Sequence, residues 1–461
     1  MKIIRLDLRW VASSLLLIFA HSAFAQEPST PGSKQIVSKA TEYMMAVERI
    51  DGFSGSVLIA RDGKPIFSKG YGLANHEWGI PNSPQTVFRL GSITKQFTAA
   101  AIMLLQERGK LNVGDAACKY VTECPAAWEQ ITIRHLLTHT SGIPNYTSFP
   151  DFAKKAILPV SIAELLADYR AKPLDFAVGE KYSYSNSGYH LLGLIVEKAS
   201  GKSYTDFLQE NIFTPLGLKQ TGYDSHENII KGRADGYSRT GDGNFVNAAY
   251  MDMLIPYAAG ALYSTTEDLL RWEQALYTEK LLTRKSLDEM FTPFKSNYAY
   301  GWSVSKRGNR NSISHGGGIY GFATHIARFP DDRVTVVVLS NVQGSSAGAV
   351  SNNLSAIAFG EPYTLPKVRK AITLPTAVLD KYVGEYQLMP NVTVTVTNDG
   401  GRVFVRLTGQ QPLEMFPESE KDFFLKVVDA QITFETDASG KVTRLLFKQG
   451  GGNGLPAPKI K

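Results

Sequence analysis

Three short stretches carry side chains whose types and spacing suit nucleophilic chemistry. The first is Ser92–Ile93–Thr94–Lys95. A serine hydroxyl is a weak nucleophile, and an amine three residues on can serve as its base if burial or a nearby cation lowers the amine's pKa. The second is Tyr184–Ser185–Asn186, the one Tyr-x-Asn in the chain. It offers a phenol to return a proton and an amide to hold a neighbour. The third is His315–Gly316–Gly317, the one His-x-Gly, followed by Gly318. Acyl transfer also needs N–H donors for the oxyanion, and glycines let a backbone come close to a bound group. Each part has a plain structural alternative. Ser92 suits a helix N-cap, most lysines are solvated, Tyr184 suits a core, and the glycines suit a turn. Ser-x-x-Lys also recurs at Ser303–Val304–Ser305–Lys306. Spacing alone therefore decides nothing.

Three other patterns compete. Gly344 to Gly348, "GSSAG", fits a nucleophile elbow, but the elbow's histidine must follow the serine and no histidine follows His325. His135 and His139 have metal-ligand spacing, without the glutamate or third ligand that would complete a site, so no metal is expected. His76, His190 and His226 stand alone and read as structural.

The elements that must position these groups are legible in outline. Thr94 to Arg108 has strong helix formers, apolar residues at helical spacing, and Gly109 as a stop. Ser92 then lies at a helix start, with Lys95 one turn on along the same face. Lys34 to Glu48 reads as another helix. "SGSVLIARDGKPIFSKGYG" reads as a hairpin turning at Asp62–Gly63. Residues from about 110 to 250 alternate short helices with polar loops. "ISHGGGIYGFATHIARFPDDRVTVVVLSN" reads as three strands broken at the glycines and at Asp331–Asp332, and Val350 to Phe359 as a closing helix. The simplest assembly is α+β, an antiparallel sheet shared by the two ends of this region and flanked by helices, with a helical lobe between them. From about Ala371 the chain becomes short alternating runs with turn signals, which predicts a small C-terminal all-β barrel-like domain. Its tail, "QGGGNGLPAPKIK", reads as disordered.

The 461 residues, 43% hydrophobic and 20% charged, describe a globular protein with a large core. The net charge of +6 is spread without a basic run, which argues against a nucleic-acid partner. Residues 1–25 have a basic start, an apolar run from Trp10 to Ala20 and the small-x-small end Ala23–Phe24–Ala25. This predicts a signal peptide and export to the periplasm or beyond, the alternative being a membrane anchor. No later segment is long and apolar enough to span a bilayer. The only cysteines, Cys118 and Cys124, are expected to form a local disulfide after export, the alternatives being free thiols or a poor metal site. The expected domains are 26–365 and 371–461.

The order of the three motifs, with the flanks "VFRLGSITKQFTAAAIMLLQERGKL", "HLLTHTSGIPNY", "YSYSNSGYHLLGLIVEKASGKSYTDFLQENIFTPLGL", "AAGALYSTTEDLLRW" and "ISHGGGIYGF", resembles the serine penicillin-recognising enzymes. This is the class C β-lactamase, D-stereospecific peptidase and esterase group. The likeness runs from about residue 35 to 360, and "LDKYVGEYQL" resembles the start of a β-barrel appendix carried by some members. The resemblance implies an acyl-enzyme on Ser92, with Lys95 as base or as the group that activates Tyr184. Tyr184 would pass the proton to the leaving group and activate the deacylating water. Asn186 would hold Lys95 and the substrate amide, and His315 would contact a substrate carboxylate. Gly316 and Gly317 would let backbone approach the substrate. The N–H groups of Ser92 and Gly318 would form the oxyanion hole, and Tyr146 would line the cleft. No cofactor is implied. Class C β-lactamases usually have lysine where this chain has His315. A largely neutral histidine holds a carboxylate less firmly. The expected substrate is therefore a small molecule or peptide, foremost a D-amino-acid peptide of a peptidase or carboxypeptidase, with weak β-lactam hydrolysis. A β-lactamase or esterase, and a non-catalytic wall-binding protein, remain as alternatives.

Overall fold

Val57 to Ala60 and Val336 to Leu339 are unbroken apolar runs, which a strand holds only where both its faces are covered. The computed structural model describes residues 31–240, 243–390, 392–426, 430–449 and 454–461. The export signal expected at residues 1–25 lies outside them. In it β1 (Gly55–Arg61) and β2 (Lys64–Tyr71) form the expected hairpin. Asp62 and Gly63 both have positive φ, 50° and 72°, as a two-residue primed turn requires. The other edge of β1 pairs with a strand from the far end of the region.

That region contributes β3 (Ser303–Arg307), β4 (Arg310–Ile319), β5 (Phe322–Phe329) and β6 (Val334–Ser340). Among the described residues the main sheet has six strands in the order β3-β4-β5-β6-β1-β2. β6 runs antiparallel to β1, from Gly55 opposite Ser340 to Arg61 opposite Val334. Side chains alternate between two cores, as the period of a strand demands. Val57, Ile59, Val336 and Val338 face one core, built with α1 (Ser33–Asp51). Leu58, Ala60, Val337 and Leu339 face the other, built with α2 (Thr94–Glu107) and α3 (Asn186–Ser200).

α2 is buried on all sides from Thr94 to Leu105, more completely than its apolar stripe suggested. α4 (Thr266–Ala275) ties it to the sheet. Trp272 donates to Gln96 of α2 at 3.0 Å, and the next residue, buried Glu273, accepts from Arg328 on β5 and Thr335 on β6. α5 (Ala347–Phe359) packs back on the α1 side and ends at Gly360. β4 crosses Gly316 to Gly318 unbroken and the chain turns at Gly321, so the expected break at the first glycines is corrected.

A third core is separate, drawn from Leu379 to Ala457. Among the described residues eight antiparallel strands follow one another in chain order between Gly384 and Pro458. The first and last meet: Ile460 donates to the Glu385 carbonyl at 2.7 Å, and Glu385 donates to that of Lys461 at 3.0 Å. The sheet is a nearly closed barrel, which removes free strand edges. The tail read as disordered is corrected where it is described. Leu455–Pro458 is the closing strand, paired with residues 444 to 447. Its two prolines, which lack a donor, are tolerated because only alternate backbone groups face the neighbour. The α+β sheet with helical lobe and the C-terminal all-β domain are as expected from the sequence.

Candidate active site

Ser92 sits in a single 3₁₀ turn, Gly91–Ile93, that runs straight into α2. Its hydroxyl caps neither helix. Gly91 has φ +55°, and a Cβ there would stand 2.9 Å from the amide nitrogen of Gly318. Glycine thus brings the turn and the end of β4 into backbone contact. Lys95 lies one turn on and is fully buried. Its Nζ stands 3.1 Å from Ser92 Oγ, 2.8 Å from Asn186 Oδ1 and 2.9 Å from the Ala259 carbonyl oxygen. Burial holds this amine well below the usual lysine value.

Tyr184 and Asn186 flank the start of α3. The Tyr184 ring lies beside the pair, its centroid 4.8 Å from Lys95 Nζ. Burial pushes the phenol's pKa up. Asn186 is oriented from the loop before it in space. Its backbone N–H and its Nδ2 both donate to Asn145 Oδ1, at 3.0 and 3.3 Å, and Nδ2 also reaches Thr147 Oγ1 at 3.2 Å. That leaves Oδ1 of Asn186 aimed at Lys95. The intervening Ser185 donates its N–H to His139 Nδ1 at 3.2 Å and its hydroxyl to the Ile143 carbonyl. His139 is buried against the rings of Tyr184, Tyr189 and Tyr298. Burial holds its pKa well down.

β4 closes the far side. His315 is buried, with its ring centroid 6.3 Å from that of Tyr184. Nδ1 lies 2.6 Å from the Gly316 carbonyl, which can only accept, so Nδ1 carries the hydrogen. Nε2 then accepts from the Tyr298 hydroxyl at 2.9 Å. Burial first and Lys95 second push this imidazole down to about 3, so it is neutral. His315 was expected to meet a substrate carboxylate. Here both nitrogens are used within the protein. Gly317 was expected to face substrate, but a Cβ there would stand 2.0 Å from the Leu90 carbonyl oxygen and 2.3 Å from Thr324 Oγ1. Its missing side chain lets β4 pack on the chain just before Ser92, where Thr324 also donates to Leu90. Gly316 is exposed, yet it too lies off the cavity wall. Gly318 is on the wall, and nothing stands within 4 Å of a Cβ built on it.

A cavity of about 420 Å³ opens above Ser92 and Asn186. Tyr146 borders it, with its hydroxyl spent on the Ile255 carbonyl. Cys118 and Cys124 are joined in a disulfide away from this site. His135 Nδ1 accepts from the Thr132 N–H in a helix capping box, and no metal-type cluster occurs among the described residues. Ser346 begins α5 and lies outside the cavity wall. The structure thus brings Ser92, Lys95, Tyr184, Asn186 and His315 together. Sequence reasoning missed Asn145, Tyr298 and the Ala259 carbonyl. Asn145 had a signal, since "SGIPNY" lies among the family-like flanks; a backbone carbonyl has none.

A buried lysine between a serine and an asparagine, under an α+β sheet, defines the class of serine β-lactamases and penicillin-binding proteins. The chain belongs to the β-lactamase family, whose model, described as "Beta-lactamase", matches residues 41–359. A second model, "Domain of unknown function (DUF3471)", matches residues 368–454. A penicillin-binding protein of Bacillus subtilis (strain 168) is 32% identical over 86% of this chain and 93% of its own length. Among solved structures, the octameric penicillin-binding protein homologue from Pyrococcus abyssi aligns with a TM-score of 0.66 and 27% identity, over 90% of this chain and 96% of that one. The D-amino acid amidase from Ochrobactrum anthropi SV3 aligns at 0.58 and 25%, over 67% and 90%.

Proposed function

We propose that the chain is an exported serine hydrolase that works through an acyl-enzyme on amide or peptide bonds of D-amino-acid substrates. One observation carries the reading. Lys95 Nζ has three neighbours, and two of them, Asn186 Oδ1 and the Ala259 carbonyl, can only accept. A neutral amine has two N–H groups for those acceptors and a lone pair left over. The lone pair is then available to Ser92 Oγ, 3.1 Å away. Burial favours this neutral form and keeps Tyr184 protonated, which divides the roles of base and acid.

Ser92 Oγ bonds to the substrate carbonyl carbon while Lys95 takes its proton. The oxyanion rests against the N–H groups of Ser92 and Gly318. The carbon–nitrogen bond breaks as Tyr184 gives its proton to the leaving nitrogen, and the proton held on Lys95 replaces it. Water then attacks the acyl carbon, gives up a proton through the same pair, and Ser92 leaves with its hydroxyl restored. Asn186 holds Lys95, and Asn145 holds Asn186.

The likeness to a D-amino acid amidase supports the substrate class. The signal-like residues 1–25 and the Cys118–Cys124 disulfide support export to the periplasm or outside the cell. The division at residues 365 to 371 belongs to the same proposal, with the barrel as a separate unit. The test is labelling with a fluorophosphonate, located by mass spectrometry, followed by turnover of D-alanyl peptides, D-amino-acid amides, a chromogenic cephalosporin and short esters. We expect the label on Ser92, and a loss of about a thousandfold or more in Ser92→Ala. Label without turnover of any substrate would instead mark a binding protein.

A further inference from the structure

The wall of the cavity above Ser92 carries no charged side chain among the described residues. Tyr146, Phe152, Met251, Ile255, Ile319 and Phe322 make up much of it. Its polar groups are few and neutral, among them Thr147, Asn186 and Gln343. Three cations beside it, Lys95, Arg89 and Arg233, are committed elsewhere. Lys95 is buried beneath Ser92 with its contacts inside the protein. Arg89 and Arg233 line a separate cavity beyond Tyr320 and Phe322, and both hold the buried carboxylate of Asp224, at 2.7 and 2.8 Å. His315 donates to the Gly316 carbonyl and accepts from Tyr298, so its ring has no N–H to offer.

A substrate carboxylate entering this cavity would lose water and gain no cation, and an unpaired buried charge is costly. An apolar side chain would instead be covered by aliphatic and aromatic surface. We infer that the cavity selects substrates that are uncharged around the scissile bond and carry a bulky apolar side chain, and that it discriminates against a free carboxylate on the leaving residue. The inference rests on the acyl-serine reading above and narrows it. A terminal amide, an internal peptide bond or an ester fits, whereas the free C-terminus a carboxypeptidase requires does not. Anionic β-lactams are poor ligands for the same reason.

The test is a matched pair, N-acetyl-D-phenylalanyl-D-alaninamide and N-acetyl-D-phenylalanyl-D-alanine, which differ only in the terminal carboxamide or carboxylate. kcat/KM is measured for both on the full chain at one pH and ionic strength, and Kd for both on Ser92→Ala. We expect the carboxamide to lead by about tenfold or more, in kcat/KM and in affinity, because the carboxylate gives up its water unpaired. Ile319→Lys, which sets an ammonium on the wall, should narrow that ratio by about threefold or more through direct charge attraction. Equal or better use of the carboxylate by the wild-type chain would overturn the inference. If neither dipeptide is cleaved and Ser92 takes no label, the hydrolase reading fails. The affinity ratio on Ser92→Ala then still decides the cavity's preference, a lead for the carboxylate overturning it and a lead for the carboxamide upholding it.

Discussion

Ser92–Lys95 and Ser303–Lys306 are the same four-position pattern with opposite surroundings. The first pair starts a helix, where three positions make nearly one turn and set both side chains on one face. The second lies on β3, the outermost strand of the sheet, where residues three apart point to opposite faces. Lys95 is buried with two acceptors and a hydroxyl around it; Lys306 is exposed. The pair becomes a candidate nucleophile and base only where the backbone aligns it and the surroundings remove water. The same contrast holds at His315 and Gly316 to Gly318. There one residue is spent on hydrogen bonds, one on packing, and only Gly318 reaches the cavity.

The largest expected effect comes from exchanging the two lysines' fates. Lys95→Met should lower kcat/KM on any substrate the wild type turns over by about 10²–10⁴-fold, the usual worth of a general base. Lys306→Met should leave it within about twofold, as surface substitutions generally do. Steady-state kinetics on both variants would undo the comparison if the losses matched.

A smaller effect is expected at the glycines. Gly317→Ala drives a methyl into the Leu90 carbonyl and should cost about 1–3 kcal/mol of stability, the usual range for overpacking. It should also slow turnover by displacing the turn that carries Ser92. Gly316→Ala meets nothing closer than 3.6 Å. It should change stability by less than about 0.5 kcal/mol. Urea midpoints with matched rates would separate the two.

The smallest expected effect is in how stability varies with pH. Lys95 has a folded pKa below its unfolded one, through burial. Between those two values the unfolded chain binds a proton that the folded chain refuses, so this group's penalty is largest at low pH and fades as pH rises toward the ordinary lysine value. Urea midpoints of the wild type should therefore gain from pH 6 to pH 9 relative to Lys95→Met. A gain of the same size in Lys306→Met and wild type, and a smaller one in Lys95→Met, would assign the slope to the buried amine. An unchanged slope in Lys95→Met would show that burial does not weigh on Lys95.

Much of this arrangement was legible in residue order. The Asp62–Gly63 turn, the helix after Ser92 and the three motifs were read at or near their places, because turn chemistry and helical periodicity are local. The closing strand of the barrel was missed because "GGGNGLPAPKIK" has the composition of a loop. Its pairing with residues 444 to 447, and the bonds from Glu385, come from partners outside the segment. Asn145, Tyr298 and the Ala259 carbonyl were missed for a related reason. Each acts on a residue at least 17 positions away, and at Ala259 the acting atom is one that every residue possesses.

The amino-acid order by itself determined which groups able to react were present and which local elements would carry them, since dihedral preference and apolar period need only neighbouring residues. Tertiary structure decided which lysine is dry and stands beside a serine, which histidine is spent and which glycine lets two segments pack. Those properties depend on desolvation and on contacts between distant segments, and no short window of sequence contains either.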